Sequence, residues 1–188
     1  MAKETYQIIF DELMKSEGGF TDDERDPGNQ LPDGRKGCTN LGVTQKAWEG
    51  YLGRQVTHDE MKALTPELVN GFYKRRYWDA VKADDLPAGV DYIVFDTCVN
   101  SGPGRAAKLL QEAVGANPDG AIGRMTLQAV EAQPVDQLIK DLCARRLAYM
   151  KSLPTWETYG RGWERRVIES EKLALKIADH PSGEAPSN

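Results

Sequence analysis

Glu17 is the residue best placed in this chain for acid–base chemistry. Tyr6, Phe10 and Leu13 recur at helical spacing, and Glu17 continues the series on the apolar face, just before Gly18 and Gly19. A carboxylate held against apolar side chains loses hydration, which favours its protonated form. A glutamic acid kept protonated near neutrality is what general-acid cleavage of a glycosidic bond needs, and neighbouring glycines leave room for a bulky substrate. The plain alternative is a glutamate at a fraying helix end with glycine as an ordinary C-cap. Two further polar residues follow in a turn-rich stretch. Asp26 precedes Pro27-Gly28, and Thr39 lies in Gly37-Cys38-Thr39-Asn40-Leu41-Gly42-Val43, which can fold back over Glu17 as a hairpin. An aspartate before Pro-Gly is also an everyday turn former.

Composition narrows the chemistry further. Of the two histidines, His58 sits in the helix-start stretch Thr57-His58-Asp59-Glu60 and His180 in a Pro/Ser/Gly tail. Serine and cysteine hydrolases need a well-placed histidine and hydrolytic zinc commonly takes one or two, so both classes are disfavoured. No structural zinc site is expected. Cys38, Cys98 and Cys143 are odd in number and lack CxxC spacing, which reads as reduced core thiols. A net charge of −5 and a pI near 5.2 argue against nucleic acid as a partner, because phosphate binding follows cation density. The basic clusters Lys74-Arg75-Arg76, Arg145-Arg146 and Arg161 with Arg165-Arg166 read either as solvated helix faces or as contacts to an anionic polymer. No apolar run reaches the roughly 18 residues of a membrane span. Met1-Ala2-Lys3-Glu4 leads into an amphipathic helix without a secretory h-region, so a chain made in the cytoplasm, without signal peptide or membrane insertion, is expected.

The elements that must position these residues are helical. Residues 5 to about 17 have amphipathic spacing, and Gly18-Gly19 can end that helix. From Phe20 to Val43, Asp-Pro-Gly, Pro-Asp-Gly and Lys-Gly signals predict a long loop or small hairpin region, a length that is uncommon unless functional. Thr44, the Thr57-x-x-Glu60 capping box and Thr65-Pro66 each open a helix. Residues 88–100 are apolar on most faces and predict a central buried helix ended by Gly102-Pro103-Gly104. A helix from about 106 to 114 closes at Gly115, and Asn117-Pro118-Asp119-Gly120 makes a turn, with Asp119 and Gly120 read as turn residues. Later helices are expected over about 124–132, 135–150 and 163–178, with a disordered tail at 179–188. The fold class is mainly α, with a small loop or hairpin region near Glu17.

Glu17-Gly18-Gly19-Phe20, Asp26-Pro27-Gly28 and Thr39-Asn40-Leu41-Gly42-Val43-Thr44 together resemble the N-acetylmuramidases of glycoside hydrolase family 108, found mostly as endolysins of tailed phages. The likeness continues through Tyr73, Tyr77-Trp78 and Asp96-x-x-x-Asn100-x-Gly102. Asp119-Gly120-Ala121-Ile122-Gly123-x-x-Thr126 resembles the DGxxGxxT turn of the peptidoglycan-binding region that usually follows. The family pattern has a second glycine after DPG and the threonine soon after; here residues 29–36 intervene and read as a loop insertion.

The resemblance implies a lysozyme-like globule, with a glycoside hydrolase region at 1–92 and a helical peptidoglycan-binding region at 93–178. It implies hydrolysis of the β-1,4 bond between N-acetylmuramic acid and N-acetylglucosamine in peptidoglycan, and it implies no metal or organic cofactor. Glu17 would protonate the leaving oxygen, and Asp26 with Thr39 would orient the attacking water. It further implies a monomer acting on glycan strands, held in the host cytoplasm until lysis and then acting on the wall in the periplasm, with dependence on a phage pore protein (holin). Asp96 and Asn100, four apart on one face of an apolar helix, are either a structural hydrogen-bond network or a substrate-binding cleft wall. Tyr77 and Trp78 either stack on sugar rings or fill core. A lytic transglycosylase would use the same glutamate without water, and a non-catalytic wall-binding module would need only the later turn.

Overall fold

The structure, a computed structural model, describes residues 2–23 and 27–180. Nine α-helices, one two-stranded hairpin and a few short helical turns make up the regular elements among these residues, a mainly α protein. None of these helices is long and apolar enough to cross a membrane. The chain divides into two compact units: Ile8–Arg75, and the described parts of Met1–Gln7 with Arg76–Asn188.

In the unit Ile8–Arg75, helix α1 (Ala2–Ser16) supplies buried Ile9, Phe10 and Leu13. Strands β1 (Thr39–Asn40) and β2 (Val43–Thr44) pair Thr39 with Thr44 and Asn40 with Val43, leaving Leu41-Gly42 as a two-residue loop. Three capped helices follow. The Thr44 hydroxyl accepts the Ala47 N–H at the start of α2 (Gln45–Leu52), Thr57 and Glu60 form the expected capping box on α3 (His58–Lys62), and Thr65-Pro66 opens α4 (Pro66–Tyr73). Each cap satisfies N–H groups that a helix start leaves bare. Phe10, Trp48, Phe72 and Tyr73 close the core edge to face, with ring centroids 5.8 Å apart for Phe10–Tyr73 and 5.9 Å for Trp48–Phe72.

Residues 29–36, read from the sequence as an insertion, fold as a closed loop. The Gly37 N–H donates to the Asn29 carbonyl at 2.7 Å, Gln30 bridges to Lys36, and Leu31 is buried beneath. Arg35 fastens the loop to α2 by a two-pronged pair with Glu49, at 3.0 and 2.9 Å. That guanidinium, helped by the Val56 N–H and the Gln45 amide, holds the Glu49 carboxyl down to about 2.

A π-helical turn at Lys74–Trp78 spans the boundary, and in the other unit 3-10 turns at Asp79–Val81 and Ala83–Asp85 precede α5 (Val90–Ser101). Helix α5 is the expected central helix, buried at every residue from Val90 to Cys98. Helices α6 (Pro103–Ala113), α8 (Val135–Lys151) and α9 (Trp156–Asp179) pack on it, and α7 (Arg124–Glu131) lies between α6 and α8 in the chain. Helix α9 starts at Trp156, earlier than the expected residue 163, because the Trp156 indole lies over Gly160 where a Cβ would sit, packing a position that propensity alone disfavours. The tail expected to be disordered falls, beyond His180, outside the described residues. Cys38, Cys98 and Cys143 are free and buried, and burial pushes the last two thiols up to about 12.

Two aspartates on α5 are buried with opposite results. Asp91 accepts the N–H groups of Gly89 (2.8 Å) and Tyr92 (2.7 Å), yet burial outweighs those bonds and pushes its carboxyl up to about 7. The unfolded carboxyl titrates near about 4. Between those values the unfolded chain gives up a proton that the folded chain keeps, so the stability contributed by protonated Asp91 is present below about pH 4 and lost as pH rises towards 7. Asp91→Asn, which keeps the acceptor oxygen and removes the ionisation, is expected to match the parent Tm at pH 4, to exceed it increasingly up to about pH 7, and to keep a constant margin above that. Paired thermal melts across that range test this; a Tm difference that does not change with pH would refute it.

Candidate active site

Glu17 stands one residue past α1, its N–H still donating to the Leu13 carbonyl at 3.1 Å, and its side chain is half-buried. The chain after it is stitched to the hairpin. Thr21 and Thr39 exchange two N–H···O bonds of 2.8 Å, and the Leu41 N–H donates to the Gly18 carbonyl at 3.1 Å. The tip of the hairpin therefore lies beside the glutamate. A Cβ built on Gly42 would strike both the Glu17 carboxylate and the Tyr73 hydroxyl, which would be 2.6 Å away. Tyr73, buried at the end of α4, donates its hydroxyl proton to the Leu41 carbonyl at 2.9 Å.

The tip is also where the backbone is strained. Leu41 and Gly42 have φ of +50° and +70°, positive at both positions as in a type I′ turn. Leucine there costs about 1–2 kcal/mol. Gly18 and Tyr73 hold it by its N–H and its carbonyl. Gly18 and Gly19, by contrast, have no positive φ, and an added Cβ would meet nothing within 4 Å at either. Neither is the left-handed C-cap that an ordinary helix end would use; both are exposed backbone beside a carboxylate.

Thr39 is joined to the segment that follows Pro27-Gly28. Its hydroxyl donates to Asn29 Oδ1 at 2.8 Å, while Asn29 Nδ2 donates to the Asp23 carbonyl at 3.0 Å. A carbonyl only accepts, so the amide orientation is fixed and Thr39 is the donor to Oδ1. The Thr39 oxygen is left with lone pairs to offer. Asp26 lies outside the described residues.

Glu17 and Thr39 thus belong to one unit, and Tyr77, Trp78, Asp96 and Asn100 to the other. For Trp78 and Asp96 the packing and hydrogen bonds favour the structural alternative over sugar contact. Trp78 is fully buried, wedged edge-on between Tyr6 and Phe95 with its Nε1 donating to Asp84 at 2.7 Å, so its ring has no open face. Asp96 is buried and accepts from Arg146 (2.6 Å), Arg166 (2.7 Å) and Ser170 (3.3 Å). Burial raises its carboxyl, but the two guanidiniums outweigh burial and hold it below the usual carboxylate range. Asn100 turns its amide back onto the Asp96 carbonyl at 2.8 Å, although the residue is exposed. Tyr77 is half-buried with the Arg76 guanidinium 5.8 Å from its ring centre. The same geometry corrects the reading of the basic pairs: Arg146 and Arg166 hold Asp96, and Arg145 pairs with Asp141, so none of the three is a free surface charge.

Three residues of the site were not expected from their chemistry. Tyr73 reads in sequence as one more aromatic on an apolar helix face, Asn29 as a turn residue, and Gly42 as a hairpin glycine. Only the shared tip of the hairpin reveals what they touch.

Gly42→Ala is expected to lower stability by more than about 1 kcal/mol, through the disfavoured φ, and to displace Glu17. Gly18→Ala and Gly19→Ala, where a Cβ meets open space, are expected to leave the Tm unchanged. Thermal melts of the three variants test this, and a Gly42→Ala protein as stable as the parent would contradict it.

Residues 10–102 match the family model described as Glycosyl hydrolase 108, and residues 105–168 match one described as Predicted Peptidoglycan domain. No curated protein matches the chain significantly. Among solved structures, the one titled "Structure of Brucella abortus SagA" is 40% identical, with a TM-score of 0.81, over 94% of this chain and 97% of that one. A likeness at that identity across nearly the whole of both chains, together with the hydrolase and peptidoglycan matches laid end to end, leads to one assignment: the chain belongs to glycosyl hydrolase family 108 and is a glycoside hydrolase acting on peptidoglycan.

Proposed function

We propose that the enzyme hydrolyses the β-1,4 bond between N-acetylmuramic acid and N-acetylglucosamine, with Glu17 as general acid and Asp26 and Thr39 holding the attacking water. The observation that carries this reading is the convergence of the Glu17 carboxylate and the Tyr73 hydroxyl over Gly42, beside two glycines whose side-chain space is left open. The Tyr73 hydroxyl donates to the Leu41 carbonyl, which fixes its position beside Glu17 at the hairpin tip.

In the reaction the Glu17 proton moves to the glycosidic oxygen as the bond from the sugar's anomeric carbon to that oxygen breaks. Thr39, its own proton directed at Asn29, accepts one hydrogen of a water, and Asp26 takes the other as the water oxygen bonds to the anomeric carbon. Water attack opposite the leaving group inverts the anomeric centre. The likeness to tailed-phage endolysins makes lysis of a bacterial host, after a holin opens the inner membrane, the proposed setting.

Purified peptidoglycan, mass spectrometry and proton NMR of the first products test the bond and the chemistry together. Reducing muramic acid ends in the α form are expected. Anhydro ends, lighter by one water, would make the enzyme a lytic transglycosylase, and reducing glucosamine ends would place the cut at the other bond. Glu17→Gln is expected to reduce the rate by about 10²–10⁴-fold with an unchanged Tm. Asp26→Asn is expected to act similarly, and Thr39→Ala to cost about tenfold, the worth of one hydrogen bond to the water. A Glu17→Gln enzyme with near-parental turnover would remove Glu17 from the mechanism.

A further inference from the structure

A groove of about 470 Å³ opens at the start of α6, lined by Ser101, Arg105, Lys108, Asp119 and Tyr149 among others. One wall is the Asp119-Gly120 turn, which is rigidly held. Buried Gln111 donates through its Nε2 to Asp119 Oδ1 (2.7 Å) and the Ala121 carbonyl (3.0 Å), and its Oε1 accepts the Gly120 N–H (2.9 Å). The Ala121 N–H and the Gln111 amide keep the Asp119 carboxyl below its ordinary range, and these bonds use Oδ1, leaving Oδ2 for a ligand. Two cations, Arg105 and Lys108, line the same groove. Arg105 lies 4.4 Å from the centre of the Tyr149 ring, the Lys108 stem passes along Gly120, and neither cation has an ion-pair partner among the described residues. Gly102, the N-cap of α6, brings no side-chain cap, so the first-turn N–H groups of that helix add to the positive side.

Two cations and one fixed carboxylate lining the same groove suit neither a dianion, which Asp119 would repel, nor a plain cation. They suit a group that carries a carboxylate and an ammonium on the same carbon. We propose that this groove binds the zwitterionic end of the diamino acid in the peptidoglycan stem peptide, its carboxylate between Arg105 and Lys108 and its ammonium on Asp119. The inference rests on the assignment to peptidoglycan and adds which part of the polymer is read. Cross-linking converts that ammonium to an amide, so the groove distinguishes uncross-linked strands from cross-linked ones.

The test is a titration of the full chain with the soluble tripeptide alanyl-glutamyl-meso-diaminopimelate, followed by calorimetry and backbone NMR. Saturable binding with shifts at residues 101–108 and 117–123 is expected. N-acetylation of the side-chain ammonium of the tripeptide is expected to weaken binding by about tenfold, and Arg105→Gln or Lys108→Gln by a similar factor. The ligand-side change needs no altered protein, and Lys108 is exposed, so misfolding does not mask the result. Equal binding of the acetylated peptide, competition by inorganic phosphate at matched concentration, or no tripeptide binding by a chain that still degrades peptidoglycan would each overturn the proposal. A chain that binds the tripeptide in this way but cuts a different glycan bond would uphold the groove and refute the muramidase reading.

Discussion

The missing Cβ of Gly42 is the constraint on which the candidate active site depends. This two-residue hairpin loop has positive φ at both positions, as in a type I′ turn, which glycine adopts freely and leucine does not. The same bare Cα lets the Glu17 carboxylate and the Tyr73 hydroxyl abut the hairpin tip. Leu41 stays at φ +50° because Gly18 holds its N–H and Tyr73 its carbonyl. Strain at Leu41, close approach at Gly42 and the placement of Glu17 are therefore one arrangement seen from three residues. Such strain persists only where neighbours over-determine it. Here the neighbours are the aromatic core of Phe10, Phe72 and Tyr73.

Carboxylates in this chain show how far surroundings decide the role of one functional group. Asp91 and Asp96 share a helix, and both are buried. Asp91 has only two backbone N–H groups to offset lost hydration and is pushed up to about 7, whereas Asp96 has two guanidiniums and a hydroxyl and is held low. Arg146 is itself buried, with its Nε and Nη2 unpartnered among the described residues, so removing Asp96 would strand a charge in the core. Breaking a pair of that kind costs about 3–5 kcal/mol. That burden marks Asp96 as a tie holding α8 and α9 to α5.

Helix starts were legible in the sequence because each has a local chemical cause. Thr44, Thr57 with Glu60, and Thr65-Pro66 all cap helices within a residue of where their side chains predict. Glu17 stood out for the same reason, by continuing an apolar series. The partners of Asp96 were not legible, since Arg146 and Arg166 lie 50 and 70 residues away and a charged pair on a helix reads as solvent-facing until its long-range partner is known. Trp78 was ambiguous because an aromatic at helical spacing looks the same whether it meets a sugar or Phe95. Helix α9 ran longer than its glycines suggest, since no local rule records that Trp156 covers Gly160.

Residues 29–36 bear on how the site tolerates added chain. Extra loop length costs little by itself, about 0.6 kcal/mol per doubling. The danger is loss of register, because the role proposed for Thr39 depends on the direction of a single hydroxyl. The loop avoids it by closing on itself: the Gly37 N–H meets the Asn29 carbonyl, so the ends of the insertion stay adjacent whatever lies between them. Asn29 then holds the Thr39 hydroxyl directly, and Arg35 ties the loop body to Glu49 on α2 rather than to the hairpin. The loop body is thus anchored on α2, and the orientation of Thr39 is set by Asn29 at the base of the loop and by the backbone bonds to Thr21.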